Sequence, residues 1–198
     1  MSPRKYEMRR RAAGVEETRR RILTATRDLH AEQGIGATSW DQIAKRAGVG
    51  VGTVYRHFPT VQELVPACAA LVWETLALPT DPAAEFAGLE GDARLRRLVE
   101  LLFAVYERGA RWIEVGRREH DDPSLPDELR HGNAAREAAF DALVVEALRP
   151  LGQSGQRATV RALTEVGVWR ALGDHGIEGD AAVDTVTRLL VSLLRRSP

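Results

Sequence analysis

Ala47 to Phe58 reads AGVGVGTVYRHF, and Thr38 to Ala44 ahead of it reads TSWDQIA. Two helices that cross steeply through a short turn need a small residue where their backbones approach, and Ala44 supplies it. The turn itself needs a residue tolerant of positive φ, which is Gly48. An apolar side chain must then point back from the second helix onto the first. Val54 stands six residues after that glycine, with Phe58 one turn further on. Thr38 opens a Thr-x-x-Asp start for the first helix, in the spacing of a capping box with Asp41, and Gly50 caps the second. The pattern predicts one helix over about 40–47 and another from Val51 to His57.

The second helix has Val, Gly, Thr and Val in its first turn, which is poor helix propensity, so tertiary packing must hold it. A β-strand competes, because Val49, Val51 and Thr53 alternate and are β-branched, but no second strand-like run lies nearby to pair with it. Gly48-x-Gly50-x-Gly52 also suggests a phosphate-cradling loop. Such loops follow a strand, whereas this one follows the helical pattern from Trp40 to Ala47. A helix entering a DNA major groove presents its N-terminal turns to base edges, so Val51, Gly52 and Thr53 are the candidates for reading sequence, with Gly52 permitting close backbone approach. Tyr55, Arg56 and His57 lie where a phenol, guanidinium or imidazole reaches phosphate oxygens, as do Thr38 and Ser39 at the start of the first helix. Packing under the turn is the ordinary alternative for Tyr55 and His57.

These residues resemble the TetR family of bacterial transcription regulators. The matching run extends from Thr18 to Leu64, about a quarter of the chain. It comprises an amphipathic helix ending before Gly34, then Gly36-Ala37-Thr38-Ser39, Ile43-Ala44, Ala47-Gly48-Val49, Gly52 to Phe58, and Leu64. Three positions depart from the family's usual pattern. Gly50 stands where Ser or Thr is common, at a cost of only a few tenths of a kcal/mol for glycine at an N-cap. Val61 stands where a lysine often contacts phosphate, which withdraws that contribution. Trp40 replaces a smaller aliphatic residue, with packing and DNA contact both open to it.

Charge divides the chain in the same place. The whole is neutral, 28 basic against 28 acidic, yet residues 1–66 carry 12 Lys/Arg and 7 Asp/Glu, a net of +5 that leaves −5 for the rest. A basic head and an acidic body suit a protein that presents one face to a polyanion. Arg4, Lys5, Arg9, Arg10 and Arg11 have no apolar periodicity around them, so residues 1–14 read as a disordered basic arm that tracks phosphates, enters a minor groove or merely solubilises. The single cysteine, Cys68, excludes an intramolecular disulfide framework and a cysteine-rich zinc site. No apolar run of membrane-spanning length and no hydrophobic signal region is present, so the expected location is the cytoplasm, with no membrane partner.

Beyond the head the organisation is helical, with prolines at boundaries. Helices are predicted over Thr60–Leu78 with a kink or fresh start at Pro66, Asp92–Arg108, Arg111–His120, Asp127–Arg149, Gln156–Leu172 and Asp180–Arg195. A turn at Asp122-Pro123-Ser124-Leu125-Pro126 and a loop over Pro150–Gly155 separate them. Val160, Leu163, Gly167 and Ala171 recur at helical spacing, as do Val183, Val186, Leu190 and Leu194, with a further row at Leu189 and Leu193. The resemblance implies that these last helices pair with their twofold mates in a four-helix bundle. Candidate interface residues are Val160, Leu163, Gly167, Val186, Leu190 and Leu194, and two heads would then face half-sites about 34 to 36 Å apart on a palindromic operator.

The middle helices hold Trp73, Phe86, Phe103, Tyr106, Trp112 and Phe140. Core packing is the ordinary reading. The resemblance implies instead that the region encloses a small-molecule pocket, for which Trp73, Phe103, Tyr106, Trp112 and Phe140 are the candidate lining, with Glu74, Glu107, Glu114 and Glu119 favouring a cationic ligand if any faces inward. His120-Asp121-Asp122 does not make a metal site, because consecutive residues seldom converge on one ion. The expectation is no metal, no cofactor and no catalytic residue, since no nucleophile elbow, HExxH or Walker loop is present.

The chain is thus expected to be all-α. A three-helix, helix-turn-helix DNA-binding domain over 15–66 follows the arm, and a helical effector-binding and dimerisation domain occupies 67–198. The function implied is a homodimeric, sequence-specific regulator of double-stranded DNA, a repressor that a small-molecule effector releases. An activator, a ligand-independent DNA-binding protein, and a helical enzyme or adaptor retaining the head fold are the alternatives.

Overall fold

The computed structural model describes residues 3–196 other than 120, 121, 124, 126, 152 and 153. Ten α-helices and no strand occur among them, in agreement with the all-α expectation: α1 Pro3–Gln33, α2 Trp40–Ala47, α3 Val51–His57, α4 Val61–Leu76, α5 Pro82–Glu85, α6 Asp92–Arg118, α7 Asp127–Leu148, α8 Arg157–Leu163, α9 Val166–Asp174 and α10 Gly179–Arg196. Two 3-10 turns, Arg149–Leu151 and Ser154–Gln156, follow α7. The chain forms two units, Met1–Thr75 with Glu114–Asn133, and Leu76–Ile113 with Ala134–Pro198. The unit that holds the helix-turn-helix therefore reaches past residue 66 and takes in a distant segment.

In the first unit α1 places Ile22, Ala25 and Leu29 on one face at helical spacing. They bury against Ile43, Ala44 and Ala47 of α2, Val54 of α3, Phe58, and Leu64 and Cys68 of α4. Residues 3–14 were expected to be unstructured, but they continue α1. Arg, Glu, Met and Ala are good helix formers and carry the helix outward from its buried half without an apolar stripe. The helix stops at Gly34, whose φ of +93° few other residues adopt and whose N–H reaches His30 O at 2.9 Å. A second cluster in this unit joins Ile35 to Val65, Val115 and Leu125, with Val61 and Leu129 packed against it. α4 runs through Pro66 without a fresh start. The proline sits in the second turn, where its missing donor deprives only the exposed Gln62 of a partner.

The second unit relies on side chains to finish helix ends. The buried Arg94 donates to Phe86 O at 2.9 Å, Leu89 O at 3.1 Å, Glu146 O at 2.7 Å and Ala147 O at 3.3 Å, and its guanidinium lies 5.1 Å from the Phe86 ring centre. Arg108 holds Leu76 O, at the end of α4, with two donors at 3.0 and 2.8 Å. The break predicted between Arg108 and Arg111 is a kink within α6 at Gly109, φ −157° and ψ 22°. A Cβ there would overlap the Leu76 side chain and crowd Trp112.

The helix predicted over Gln156–Leu172 is broken. Thr164 and Glu165 separate α8 from α9, with Glu165 extended. Thr164 is fully buried, its hydroxyl donates back to Val160 O at 2.9 Å, and its own carbonyl accepts the Tyr106 hydroxyl at 2.9 Å. A carbonyl engaged from the side by a buried phenol has no need of the next helical turn. His120, Asp121, Ser124 and Pro126, which belong to the predicted acidic stretch and turn, lie outside the described residues.

Candidate nucleic-acid interface

α2 begins one residue later than the Thr-x-x-Asp reading placed it. Its N-cap is Ser39, extended at φ −97° and ψ 155°, with the hydroxyl accepting from Gln42 N–H at 3.3 Å while Gln42 Oε1 accepts from Ser39 N–H at 2.8 Å. This is a complete capping box, and Ser39-x-x-Gln42 was its signature in the sequence. Thr38 is occupied elsewhere: its hydroxyl donates to Gly34 O at 2.7 Å. The two candidates differ for that reason. Ser39 is exposed and still has its proton to donate, whereas the proton of Thr38 is engaged inside the α1–α2 turn.

The turn between α2 and α3 is built as its composition requires. Gly48 is left-handed at φ 65°, and Arg21 of α1 donates to the carbonyls of Ala47 and Gly48 at the positive-φ corner. That guanidinium satisfies carbonyls at the end of α2 where the helix dipole is negative. Arg46 forms a two-pronged pair with Glu32 at 2.9 and 2.7 Å, fixing α2 on α1. Gly50, extended and with no side chain to offer, caps α3.

α3 then separates its two faces. Val54 is fully buried, and Phe58 closes the turn with the Arg19 guanidinium 5.0 Å from its ring centre. Val51 is 38% exposed and Tyr55 46% exposed, with Gly52 and Arg56 also at the surface and Thr53 and His57 half-buried. The outward residues are those assigned to DNA. Arg56 donates to the Thr53 hydroxyl at 3.2 Å, so a candidate reader and a candidate anchor are linked. Trp40 stacks on Tyr55 with ring centres 4.9 Å apart and planes 28° from parallel. Packing is what the residue does here, and it limits where the phenol swings.

Residues 22–68 match the family model described as bacterial regulatory proteins, tetR family. Over that segment the chain resembles the TetR family. Its similarity to the HTH-type transcriptional repressor KstR of Mycolicibacterium smegmatis is 32% identity over 126 residues, 63% of this chain and 61% of KstR. The stretches aligned with KstR and two further curated relatives span 35% to 61% of those proteins. Among solved structures, a HlyIIR linker mutant matches with TM-score 0.66 at 17% identity, over 88% of this chain and 95% of that one. FadR from Bacillus subtilis, crystallised with stearoyl-CoA, matches with TM-score 0.52 at 20% identity, over 87% and 97%. At such identities the likeness is one of fold, and it spans most of the chain.

The residues expected to line an effector pocket fall in both units. Trp73 belongs to the first. Phe103, Tyr106 and Phe140 of the second come together around Tyr106, whose ring centre lies 6.2 Å from Phe103, 5.9 Å from an edge-on Phe140 and 6.2 Å from Trp169. Trp169 was not among the expected residues, because it lies in the last helices and not in the middle ones from which the pocket was drawn. Trp112 is half-buried beside Gly109. Burial pushes the Tyr106 phenol well above its ordinary pKa. Arg161 sits 5.1 Å from the Phe140 ring centre and pairs with Glu137 at 2.6 Å, with Glu165 and Asp141 further off. Asp141, Arg157, Arg161 and Glu165 line an open cavity of about 790 Å³ that takes in none of the five expected residues. Of the carboxylates proposed for a cationic ligand, Glu119 accepts a backbone hydrogen bond from Ile35.

The expected interface stripe needs correction. Val160, Val186, Leu190 and Leu194 are buried within their own chain, so they are core residues, not a face held open for a partner. Leu163 is half-buried and Gly167 exposed, and on α10 it is Leu189, of the other row, that stands 53% exposed. A stripe of helical period shows that a residue faces another helix but not whose helix it is.

Proposed function

We propose that the protein is a sequence-specific transcriptional regulator that acts as a homodimer in the cytoplasm on a palindromic operator and releases it when a small molecule binds the C-terminal helices. The observation that carries the reading is α3: a segment of poor intrinsic helicity pinned through Val54 and Phe58, leaving Val51, Gly52 and Tyr55 outward and reachable. Val51, Gly52 and Thr53 read bases; Ser39, Tyr55, Arg56 and His57 hold phosphates. Repression is supported by the likeness to KstR, and a small-molecule effector by the likeness to FadR, whose crystals hold stearoyl-CoA. The twofold contact falls to surface that the chain leaves uncovered on α9 and α10, including Gly167 and Leu189. Coupling between effector and operator in such regulators is about 1 to 3 kcal/mol, enough for several-fold to hundred-fold release.

Mobility-shift titration against the DNA upstream of the protein's own gene tests the reading. Binding that survives a large excess of unrelated duplex supports it, and equal affinity for both sinks it. Tyr55→Phe should weaken all duplexes alike and leave the salt slope unchanged, since a neutral phenol releases no counterion, while Thr53→Ala should relax preference at one base step by as much as about 1 to 3 kcal/mol.

A further inference from the structure

We propose that Glu119, just beyond the end of α6, is a positioning residue for DNA binding: it fixes the α1–α2 turn so that Ser39 meets a phosphate. The inference rests on the DNA-binding role proposed above. Glu119 Oε2 accepts from Ile35 N–H at 2.8 Å across 84 residues of sequence, and the carboxylate is largely sheltered, at 15% side-chain exposure. Gly34 leaves the space it occupies, since a Cβ there would overlap Glu119 Oε1. Gly34 O in turn accepts from the Thr38 hydroxyl, and Gln33 Nε2 holds Ala37 O at 2.8 Å and Gln42 Oε1 at 3.1 Å. Gln42 is the other half of the Ser39 capping box. A continuous set of hydrogen bonds thus runs from the end of α6 to the hydroxyl that faces DNA. Ile35, beside that turn, packs in one cluster with Val115 and Leu125, which lie on either side of Glu119 in sequence, so the Glu119 segment and the turn are fixed together.

A hydrogen-bond acceptor on Ile35 N–H is what the turn needs, so charge and reach are separable by substitution. Glu119→Ala removes the acceptor; Glu119→Asp leaves it a methylene short; Glu119→Gln keeps an oxygen in place. The measurement is affinity per active molecule at fixed salt, the active fraction set by stoichiometric titration, using a duplex that the wild-type protein enriches from a random pool. Expected are a several-fold loss of affinity, one neutral hydrogen bond to phosphate, in the Ala and Asp variants, and wild-type affinity in the Gln variant. Combined with Ser39→Ala, Glu119→Ala should lower the affinity no further, whereas with Tyr55→Phe the two losses should add. A variant that merely folds less well loses active protein but keeps its affinity per active molecule, so an unchanged affinity in both the Ala and Asp variants overturns the assignment, as does full additivity with Ser39→Ala. A wild-type protein that enriches no sequence overturns the DNA-binding reading itself, an outcome visible before any variant is made.

Discussion

The two units satisfy their helix ends by different means. Around α2 and α3 most of the work is local: Ser39 and Gln42 cap α2 across three residues, and Gly48 ends it. In the second unit the partners are far apart in sequence. Arg94 reaches Glu146 and Ala147, Arg108 reaches Leu76, and Tyr106 reaches Thr164. Local capping leaves polar side chains at the surface, free for a ligand as large as DNA. Distant capping draws arginine and tyrosine inside, where each must be fully satisfied because the low dielectric penalises any partner left over. The head is thus built to offer polar groups, and the second unit to consume them.

The largest test of that contrast is Arg94→Ala. It removes a donor from four carbonyls, of which only Phe86 O keeps another in Leu89 N–H, and leaves the Glu146 carboxylate, 12% exposed, to Arg149 alone, so the expected loss is about 3 to 5 kcal/mol by urea denaturation. Lysine should rescue little, since a point charge on a flexible stem does not span carbonyls of two separate segments. A loss below about 1 kcal/mol would remove distant capping as the basis of the second unit.

His30 sharpens the other side of the comparison, as a polar group that the head does bury. It is 7% exposed, with Nδ1 3.8 Å from Cys68 Sγ, and burial pushes its imidazole down from 6.5 to about 4. The folded protein therefore binds this proton less readily than the unfolded chain. Stability is full above pH 6.5 and falls as pH drops from there toward 4, by about 3 kcal/mol for a shift of that size. Thermal unfolding across that range should show the fall, and His30→Leu should flatten it. An unchanged profile in that variant would assign the acid sensitivity to other groups.

Tyr106→Phe probes distant capping with a single atom. Removing the hydroxyl leaves Thr164 O buried without its partner, for an expected loss of about 1 to 3 kcal/mol. The ring packing with Phe103, Phe140 and Trp169 is retained, so near-ultraviolet circular dichroism should change little while denaturation shifts. A neutral substitution would mean that the α8–α9 break is held by Thr164 and Glu165 alone.

The same contrast explains what could be read in advance. Val51–His57 and the inward Val54 followed from glycine placement and spacing, because the forces that set them act within one turn of helix. The capping box was misplaced by one residue, a close contest between Thr38 and Ser39 that Gln42 settles. Thr164 carried no such signal: its break depends on a phenol 58 residues away. The α10 stripe was correctly found and wrongly assigned, since Val186 and Leu190 are apolar at helical spacing whether the neighbour is their own chain or another. Glu119 was noticed only as an acidic residue, and nothing near it in sequence points to Ile35.

The smallest effect is the most discriminating for the head. If Ser39 starts α2 through its side chain, Ser39→Ala should cost about 1 kcal/mol, while Ser39→Gly, which keeps the extended backbone at little penalty, should cost only a few tenths. Thr38→Ala should leave the cap intact, because Gln42 N–H turns to Ser39 and not to Thr38. Equal losses for alanine and glycine at position 39 would mean that the α1–α2 turn, held from Gly34 and Ile35, dictates where α2 begins and that the hydroxyl only decorates it. Local capping would then be no more the rule in the head than in the second unit, and the availability of Ser39 to DNA would depend on distant contacts as well.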